Sequence, residues 1–229
     1  MKVKSLMMLA LFACGLTMMT VSCDKDNPKP KPTPQPGNTV KSKTIDASNY
    51  SNWTYINLET GETEVHRDFS EWVYLKNMHP DTVVSRTPAK GSEADVKIKW
   101  HIAIHRFDIK TNNAEAVATK ETDLAKVTTI PTSGYKPDTT VKMRVITDMS
   151  RMRESLVAVA AESHLNAPLN GWLKRTPTGG MPPYTYKLSN LVYVVKFKDG
   201  AYAKLKFTDF TNATKQNGFV TFSYEYKAK

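Results

Sequence analysis

Residues 191–207 read Leu-Val-Tyr-Val-Val-Lys-Phe-Lys-Asp-Gly-Ala-Tyr-Ala-Lys-Leu-Lys-Phe, and this stretch decides the fold class. Two runs rich in apolar and β-branched residues flank Asp199-Gly200, a dipeptide typical of tight turns between antiparallel strands. Lysines alternate with apolar residues in the second run, as expected of a strand with one face in solvent. The stretch therefore predicts a β-hairpin and an antiparallel, all-β domain.

The same alternation recurs along the chain and predicts further strands. They fall at residues 53–58, 63–65, 96–107, 141–146 and 219–226, with Gly61 in the turn between the first two. Residues 155–164 fit either a short helix or a strand, because their apolar run has no clear period. We expect antiparallel sheets forming a single compact domain over residues 41–229, with at most a short helix.

Residues 1–22 have the pattern of an export signal. Lys2 and Lys4 precede an apolar stretch over residues 7–19, and the small residues that follow lead into Cys23. This ending resembles a lipoprotein signal peptidase site, which predicts that Cys23 becomes a lipidated N-terminus. An ordinary secretory signal is the alternative interpretation.

Residues 23–40 are predicted to be a tether that joins the lipidated cysteine to the domain. Five prolines alternate with other residues from Pro28 to Pro36. Alternating proline favours an extended, polyproline-like chain. The protein would then reach a membrane only through its lipid anchor.

Composition and missing motifs argue against several classes of function. The 229 residues carry a formal net charge of +10 and no cysteine after Cys23, which excludes a cysteine nucleophile or a thiolate metal site in the domain. A Gly-rich phosphate loop, a G-x-S-x-G elbow and an H-E-x-x-H motif are all missing, so we expect no enzyme. The lysines alternate along strands, which indicates a solvated sheet face rather than a nucleic-acid-binding surface.

His101 and His105 are four residues apart within a strand-like run. On a strand they would share one face about 13 Å apart, which is too far for one metal ion. We therefore expect structural roles for both.

Met152 and Met181 stand in unusual surroundings for methionine. Met152 lies in the polar stretch 148–153, Asp-Met-Ser-Arg-Met-Arg, and Met181 lies between Gly180 and Pro182. Neither pattern is that of a buried core. Two interpretations stay open: gap-filling under a loop, and a thioether presented to a soft metal such as haem iron.

Residues 100–109, Trp-His-Ile-Ala-Ile-His-Arg-Phe-Asp-Ile, resemble the W-x-(I/M)-A-(L/I)-H-R-(Y/F)-D motif of the HmuY family. Residues 171–173, 181–190 and 206–224 fit further family segments in the same order, so that the resemblance covers residues 43–226. It implies an all-β, haem-binding lipoprotein domain in which loops grip the ligand, without enzymatic activity.

The resemblance also implies a haemophore function at the outer membrane. HmuY-like proteins, lipid-anchored at the cell surface or shed from it, take haem from host haemoproteins and pass it to a TonB-dependent receptor. The best-known member holds the iron between two histidines, whereas Met181 and the stretch 148–152 stand at those positions here. The resemblance is therefore to a methionine-ligand branch, with Met152 and Met181 as axial ligands and Met149 as the substitute for Met152.

Residues near these methionines are expected to complete the site. The apolar residues expected in the pocket wall are Leu156, Trp172 and Tyr184. The basic residues expected beside the haem propionates are Arg151, Arg153, Lys174 and Arg175.

Other functions stay open from the sequence. One is a surface glycan-binding lipoprotein that uses Trp53 or Trp72 as a stacking platform. A secreted hydrolase is disfavoured by the missing nucleophile and base, and an adhesin subunit is a third alternative.

Overall fold

The computed structural model describes residues 39–229, and this part of the chain is built from antiparallel β-strands. The strands are β1 (Lys41–Asp46), β2 (Asn52–Ile56), β3 (Thr63–Arg67), β4 (Trp72–Lys76), β5 (Val83–Thr87), β6 (Ile102–His105), β7 (Asp108–Thr111), β8 (Glu115–Ala118), β9 (Lys136–Lys142), β10 (Ile146–Asp148), β11 (Leu156–Ala160), β12 (Glu162–Asn166), β13 (Leu173–Pro177), β14 (Tyr184–Leu188), β15 (Val192–Lys196), β16 (Tyr202–Thr211) and β17 (Asn217–Lys227). A short helix, α1 (Ala167–Asn170), follows β12. The prediction of an all-β domain with at most a short helix is confirmed.

The predicted signal peptide, residues 1–22, lies outside the described residues, as does the predicted tether up to residue 38. Both stay predictions. Within residues 39–229, no helix has the length and apolar character needed to cross a membrane.

Within the described range every strand pairing is antiparallel, and the strands form four sheets. The largest has the order β1-β17-β16-β15-β8-β9-β12. Two four-stranded sheets have the orders β10-β11-β4-β5 and β3-β2-β6-β7, and β13 pairs with β14 as a two-stranded ribbon. The large sheet and the β2–β6 pair share the main core, whose buried residues include Ile56, Ile104, Val195, Leu205 and Phe222.

The hairpin predicted at residues 191–207 is confirmed as β15 and β16, in which Val194 lies opposite Lys204. Gly200, in the connecting turn, has a φ of +89°, a conformation that glycine adopts without steric cost. The predicted hairpin near residues 53–65 is also confirmed, as β2 and β3. The last predicted strand lies within β17, which pairs with β16 along most of its length.

Residues 96–107 do not form the long strand that their alternation predicts. Only Ile102–His105 is a strand, and a tight turn at Arg106 and Phe107 leads back into β7. Arg106 has a φ of +54°, and its Nη1 donates a hydrogen bond of 2.8 Å to the carbonyl of Ser48. The turn contains none of the Gly, Pro or Asn residues that usually mark turns, so the alternation continues through it without a signal.

Two further segments differ from a simple strand pattern. The prediction of one strand at residues 141–146 is wrong, because β9 ends at Lys142 and β10 begins only at Ile146. Between them, Met143 has a φ of +47°, which interrupts the extended backbone. Residues 155–164 form β11 and β12 rather than a helix. All five residues of β11 are buried between β10 and β4, and such a strand shows no two-residue period.

Trp172 anchors the segment between α1 and β13 in the main core. Its ring is fully buried 4.8 Å from the ring of Phe207, and its Nε1 donates a 2.9 Å hydrogen bond to the carbonyl of Phe107. Because Phe107 belongs to the β6–β7 turn, this one side chain joins two connections to the core.

We expect Trp172→Ala to lower the free energy of unfolding by about 3–5 kcal/mol, since it leaves a large cavity in the core and removes the hydrogen bond to the partly buried carbonyl of Phe107. Urea unfolding measures the change. Val84→Ala is the control, because Val84 is 56% exposed and its truncation should change stability by less than about 0.5 kcal/mol. A Trp172→Ala loss as small as that of the control would contradict the anchoring role.

Candidate functional site

A cavity of about 320 Å³ lies where several connections between strands meet. One wall is the β6–β7 turn with Tyr50, and another is the chain from Arg144 to Met152. The β13–β14 ribbon closes a third side, and the β4–β5 loop contributes Met78. The full lining is Tyr50, Met78, His105, Arg106, Phe107, Asp108, Arg144, Ile146, Met149, Met152, Arg175, Pro183, Tyr184 and Tyr186.

The β6–β7 turn supplies four consecutive residues of this wall, His105, Arg106, Phe107 and Asp108. They are the His-Arg-Phe-Asp part of the motif singled out in the sequence. The motif therefore shapes the cavity, instead of being only a regular strand of the sheet. Its turn is held in place because the Arg106 guanidinium stacks 4.3 Å over the ring of Tyr50 and also bonds Ser48.

Both histidines of the 100–109 motif, His101 and His105, form hydrogen bonds with the backbone. Nε2 of His105 lies 2.6 Å from the carbonyl of Tyr50, so this nitrogen carries the proton and donates it. Nδ1 of His101 accepts a 3.1 Å hydrogen bond from the backbone N–H of Leu58. Burial lowers the pKa of both imidazoles, so both are neutral at neutral pH. These contacts give the two histidines structural roles.

The structure brings Met149 and Met152 to the same cavity, on the chain between β10 and β11. This chain turns where the N–H of Met152 donates a 3.1 Å hydrogen bond to the carbonyl of Met149, and it continues as a 3-10 turn over Met152–Glu154. Met152 is 49% exposed, and Met78, which also lines the cavity, is 47% exposed. Sequence reasoning missed Met78, because its loop is adjacent only in three dimensions.

Met181 lies at the tip of the β13–β14 ribbon and is 92% exposed. It does not line the cavity in this structure, although Pro183 and Tyr184, just beyond it, do. The two residues predicted as an axial pair thus lie on separate elements that border one cavity. Whether they bind iron stays a prediction.

Among the predicted apolar wall residues, only Tyr184 lines the cavity. The expectation for Trp172 and Leu156 is wrong, because both are buried in packed strands or core and lie outside the lining. Nearness in sequence to a methionine does not reveal on which face of the backbone a side chain lies. Phe107, Ile146 and Tyr186 take their place.

Among the predicted basic residues, only Arg175 lines the cavity. Its guanidinium lies 3.6 Å from the centre of the Phe107 ring, which orients it along the wall. Arg151 pairs instead with Glu154 on its own turn, while Arg153 and Lys174 are exposed outside the lining. Arg144, which the sequence did not single out, also lines the cavity, and its positive charge acts on Asp108 together with that of Arg175.

Asp108 is the least expected member of the wall. It is buried, and within residues 39–229 its carboxyl group has no hydrogen bond and no ion pair within 4.0 Å. Burial raises the pKa of Asp108 to about 6, although the positive charges of Arg144 and Arg175 act in the opposite direction. The cavity therefore contains a carboxyl group that titrates close to neutral pH.

The tryptophans expected to serve a glycan-binding surface are not exposed. Trp53 and Trp72 are both buried, and the Nε1 of each donates a hydrogen bond to the carboxylate of Asp68, at 2.7 and 3.2 Å. They are core residues and offer no stacking platform. The described residues also contain no group of three or more His, Cys, Asp or Glu side chains that could hold a metal ion.

Comparison with known proteins identifies the class of this fold and site. The model of the HmuY protein family matches residues 49–224. The chain therefore belongs to the HmuY family. No curated protein matches it.

Among the solved structures similar to the chain, three have the following likeness. The apo HmuY analog of Tannerella forsythia, TFO, is 51% identical, with 83% of this chain and 97% of that chain covered and a TM-score of 0.75. Apo PinO from Porphyromonas gingivitis is 34% identical, with 84% and 99% covered and a TM-score of 0.75. A protein from Bacteroides vulgatus described as HmuY-like and heme-binding is 30% identical, with 85% and 96% covered and a TM-score of 0.64.

We expect Asp108→Asn to stabilise the folded chain at neutral pH. The pKa of this carboxyl group rises from 3.8 to about 6 on folding, so the folded state binds the proton more tightly than the unfolded state. Stability therefore falls as pH rises from about 4 to 6, and above that range the buried charge costs roughly 3 kcal/mol. Asn removes the charge and should recover much of this cost at pH 7 but little below pH 4.

Urea unfolding at pH 3.5, 5 and 7 tests this expectation. Asp199→Asn is the matched control, because Asp199 is exposed, pairs with Lys99 and has a lowered pKa. Its removal should not stabilise the protein at any of these pH values. Equal pH profiles for wild type and Asp108→Asn would contradict the raised pKa.

Proposed function

We propose that the protein is a haemophore-like, haem-binding lipoprotein that captures haem from host haemoproteins and delivers it to a TonB-dependent outer-membrane receptor. In this proposal Met152 and Met181 provide the two axial thioethers. The observation that carries it is the cavity of an HmuY-family domain lined by methionines, aromatic rings and arginines together. The protein acts as a carrier and catalyses no reaction.

The chemistry of the wall suits a flat, apolar ligand with anionic substituents. Phe107, Tyr184 and Tyr186 offer aromatic surface, and Ile146 offers an aliphatic one. Burial of porphyrin area against these side chains would supply most of the binding free energy. Arginines at the same wall suit carboxylates, and the propionates are the anionic groups of haem.

The methionines suit the iron of this ligand. Met152 already lies at the cavity, and Met149 beside it on the same turn is its substitute. Met181 is 92% exposed at the ribbon tip, so its side chain has few contacts to lose when it turns toward a ligand. A thioether on each of two separate elements would let the ribbon and the 3-10 turn close on opposite faces of a haem.

Thioether ligation has two physical consequences. Sulfur is a soft ligand and favours ferrous over ferric iron, which suits reducing habitats. A thioether has no proton to gain at biological pH, whereas an imidazole ligand is protonated near pH 6.5. The iron–protein bonds would therefore persist in mild acid.

Transport by this domain requires that haem enter and leave without unfolding. Met78, Met152, Tyr184 and Tyr186, all exposed by more than a third, surround the cavity and form an apolar rim. Such a rim can contact a haem donor or a receptor. The lipidated Cys23 and the tether of residues 23–40 would keep the domain at the cell surface, or release it after cleavage of the tether.

We expect Met152→Leu and Met181→Leu each to weaken haem binding roughly tenfold or more and to change the absorption spectrum, because Leu keeps the volume but removes the sulfur. Haem titration in the ferric and the dithionite-reduced states measures both effects. The loss should be larger in the ferrous state, in which sulfur is the better ligand. Met149→Leu tests the substitute ligand.

Met143→Leu is the matched control, since Met143 lies outside this cavity and packs near Val73 and Val159. Its spectra should equal those of the wild type. If Met152→Leu and Met181→Leu also keep wild-type spectra in both oxidation states, the two methionines are not the ligands. Mixing with haem-loaded albumin tests capture, and a mixture in which haem stays with albumin argues against a haemophore.

A further inference from the structure

The wall of the cavity contains a carboxyl group that the proposed iron ligation does not use. Asp108 begins β7, is only 4% exposed as a residue and lines the cavity, and no group of the described residues hydrogen-bonds its carboxyl oxygens. These oxygens are not among the fully buried polar atoms without a partner, so they are accessible from the cavity, where a ligand group can contact them.

Two arginines from other elements face the same carboxyl group. Arg144 lies in the connection between β9 and β10, and Arg175 lies on β13. Both act electrostatically on Asp108, but neither forms an ion pair within 4.0 Å in the described part of the chain. Their guanidinium groups therefore keep donors available for an external anion.

We propose that Asp108, in its protonated form, acts with Arg144 and Arg175 as the carboxylate-recognition end of the cavity, so that a ligand carrying carboxylates binds with uptake of a proton. The inference rests on the proposed function, because it assigns this end of the site to the propionates of the porphyrin. Asp108 is then a specificity residue that touches the ligand's carboxylate, remote in sequence from the methionines.

Ligand affinity depends on pH because loss of the proton changes Asp108 from a hydrogen-bond donor into a negative charge that repels a carboxylate. A protonated carboxyl group donates a short hydrogen bond to a carboxylate, while the arginines compensate the ligand's charge. An ionised Asp108 offers no donor, repels the ligand and competes with it for the two guanidinium groups. Because ligand binding favours the protonated form, affinity falls as pH rises through the range in which Asp108 loses its proton.

Other charged and titratable groups also lie around the cavity. Its lining includes Arg106, Arg144 and Arg175 together with the phenols of Tyr50, Tyr184 and Tyr186. Burial lowers the pKa of His105 well below its usual value. Burial raises the pKa of Asp148 at the end of β10, but its hydrogen bonds with Ser150 and Tyr74 outweigh this effect and lower the pKa overall, and the hydrogen bond with Arg151 lowers the pKa of Glu154.

The test compares haem with haem dimethyl ester, in which both propionate charges are removed. Each is titrated into wild type, Asp108→Asn and Asp199→Asn at pH values from 5.5 to 7.5, with the iron kept ferrous. Asn is the isostere of protonated Asp and keeps a donor. Asp199 is exposed and lies outside the cavity lining, so its variant controls for net charge.

For the wild type and Asp199→Asn, we expect haem affinity to fall by up to roughly tenfold per pH unit above pH 6, and dimethyl-ester affinity to stay constant. For Asp108→Asn, haem affinity should stay high and nearly constant with pH. Arg175→Gln should weaken the binding of haem but not that of the ester.

The outcomes separate this inference from the function on which it rests. If haem binds with a methionine-dependent spectrum but the ester binds with the same pH profile, carboxylate recognition is overturned and the haem carrier stands. If Asp108→Asn folds and keeps the wild-type pH profile, the role of Asp108 is overturned. If neither porphyrin binds to the wild type at any pH, both proposals are wrong. Should Asp108→Asn fail to fold, the two porphyrins are compared on the wild-type protein alone. Equal pH profiles for haem and its dimethyl ester would then still overturn pH-dependent carboxylate recognition.

Discussion

The site depends on the contacts that hold the β6–β7 turn against the chain that follows β1. Arg106 adopts a left-handed backbone conformation there and bonds Ser48, while His105 donates to the carbonyl of Tyr50. Trp172 holds the same turn from the core side through the carbonyl of Phe107. These contacts expose a wall of four consecutive side chains to the cavity, and every other element of the site lies around that wall.

The fold separates rigid from adaptable parts of the cavity. The turn wall is anchored in two packed cores, and its histidine is neutral and fixed by burial. The methionines are on exposed connections, where the side chains keep their freedom. A carrier benefits from this division, because a rigid wall orients the ligand while flexible thioethers can close on it and release it. The rigid wall can also contain the buried carboxyl group of Asp108, because the packing of the neighbouring residues offsets the free energy needed to bury it.

Much of the fold can be predicted from the sequence, because alternation and turn chemistry are local signals. The turn dipeptide Asp199-Gly200 predicts the β15–β16 hairpin, and the uninterrupted alternation of apolar and polar residues predicts β17. The same rule fails at Arg106, where tertiary hydrogen bonds stabilise a turn that no residue type marks. It also fails at β11, because a strand buried on both faces has no polar face to show its period.

For the site, the sequence by itself determined the residue types that matter: the methionines without a core pattern, the family motif that ends in His-Arg-Phe-Asp, and Tyr184 and Arg175 near the ribbon. Only the tertiary structure decided which of them meet. Met78, Asp108 and Arg144 line the cavity although the sequence did not predict it. Leu156, Trp172 and the other predicted basic residues lie outside the lining. The physical reason is that a cavity forms between chain segments distant in sequence, so its composition depends on packing and strand register, which no local pattern encodes.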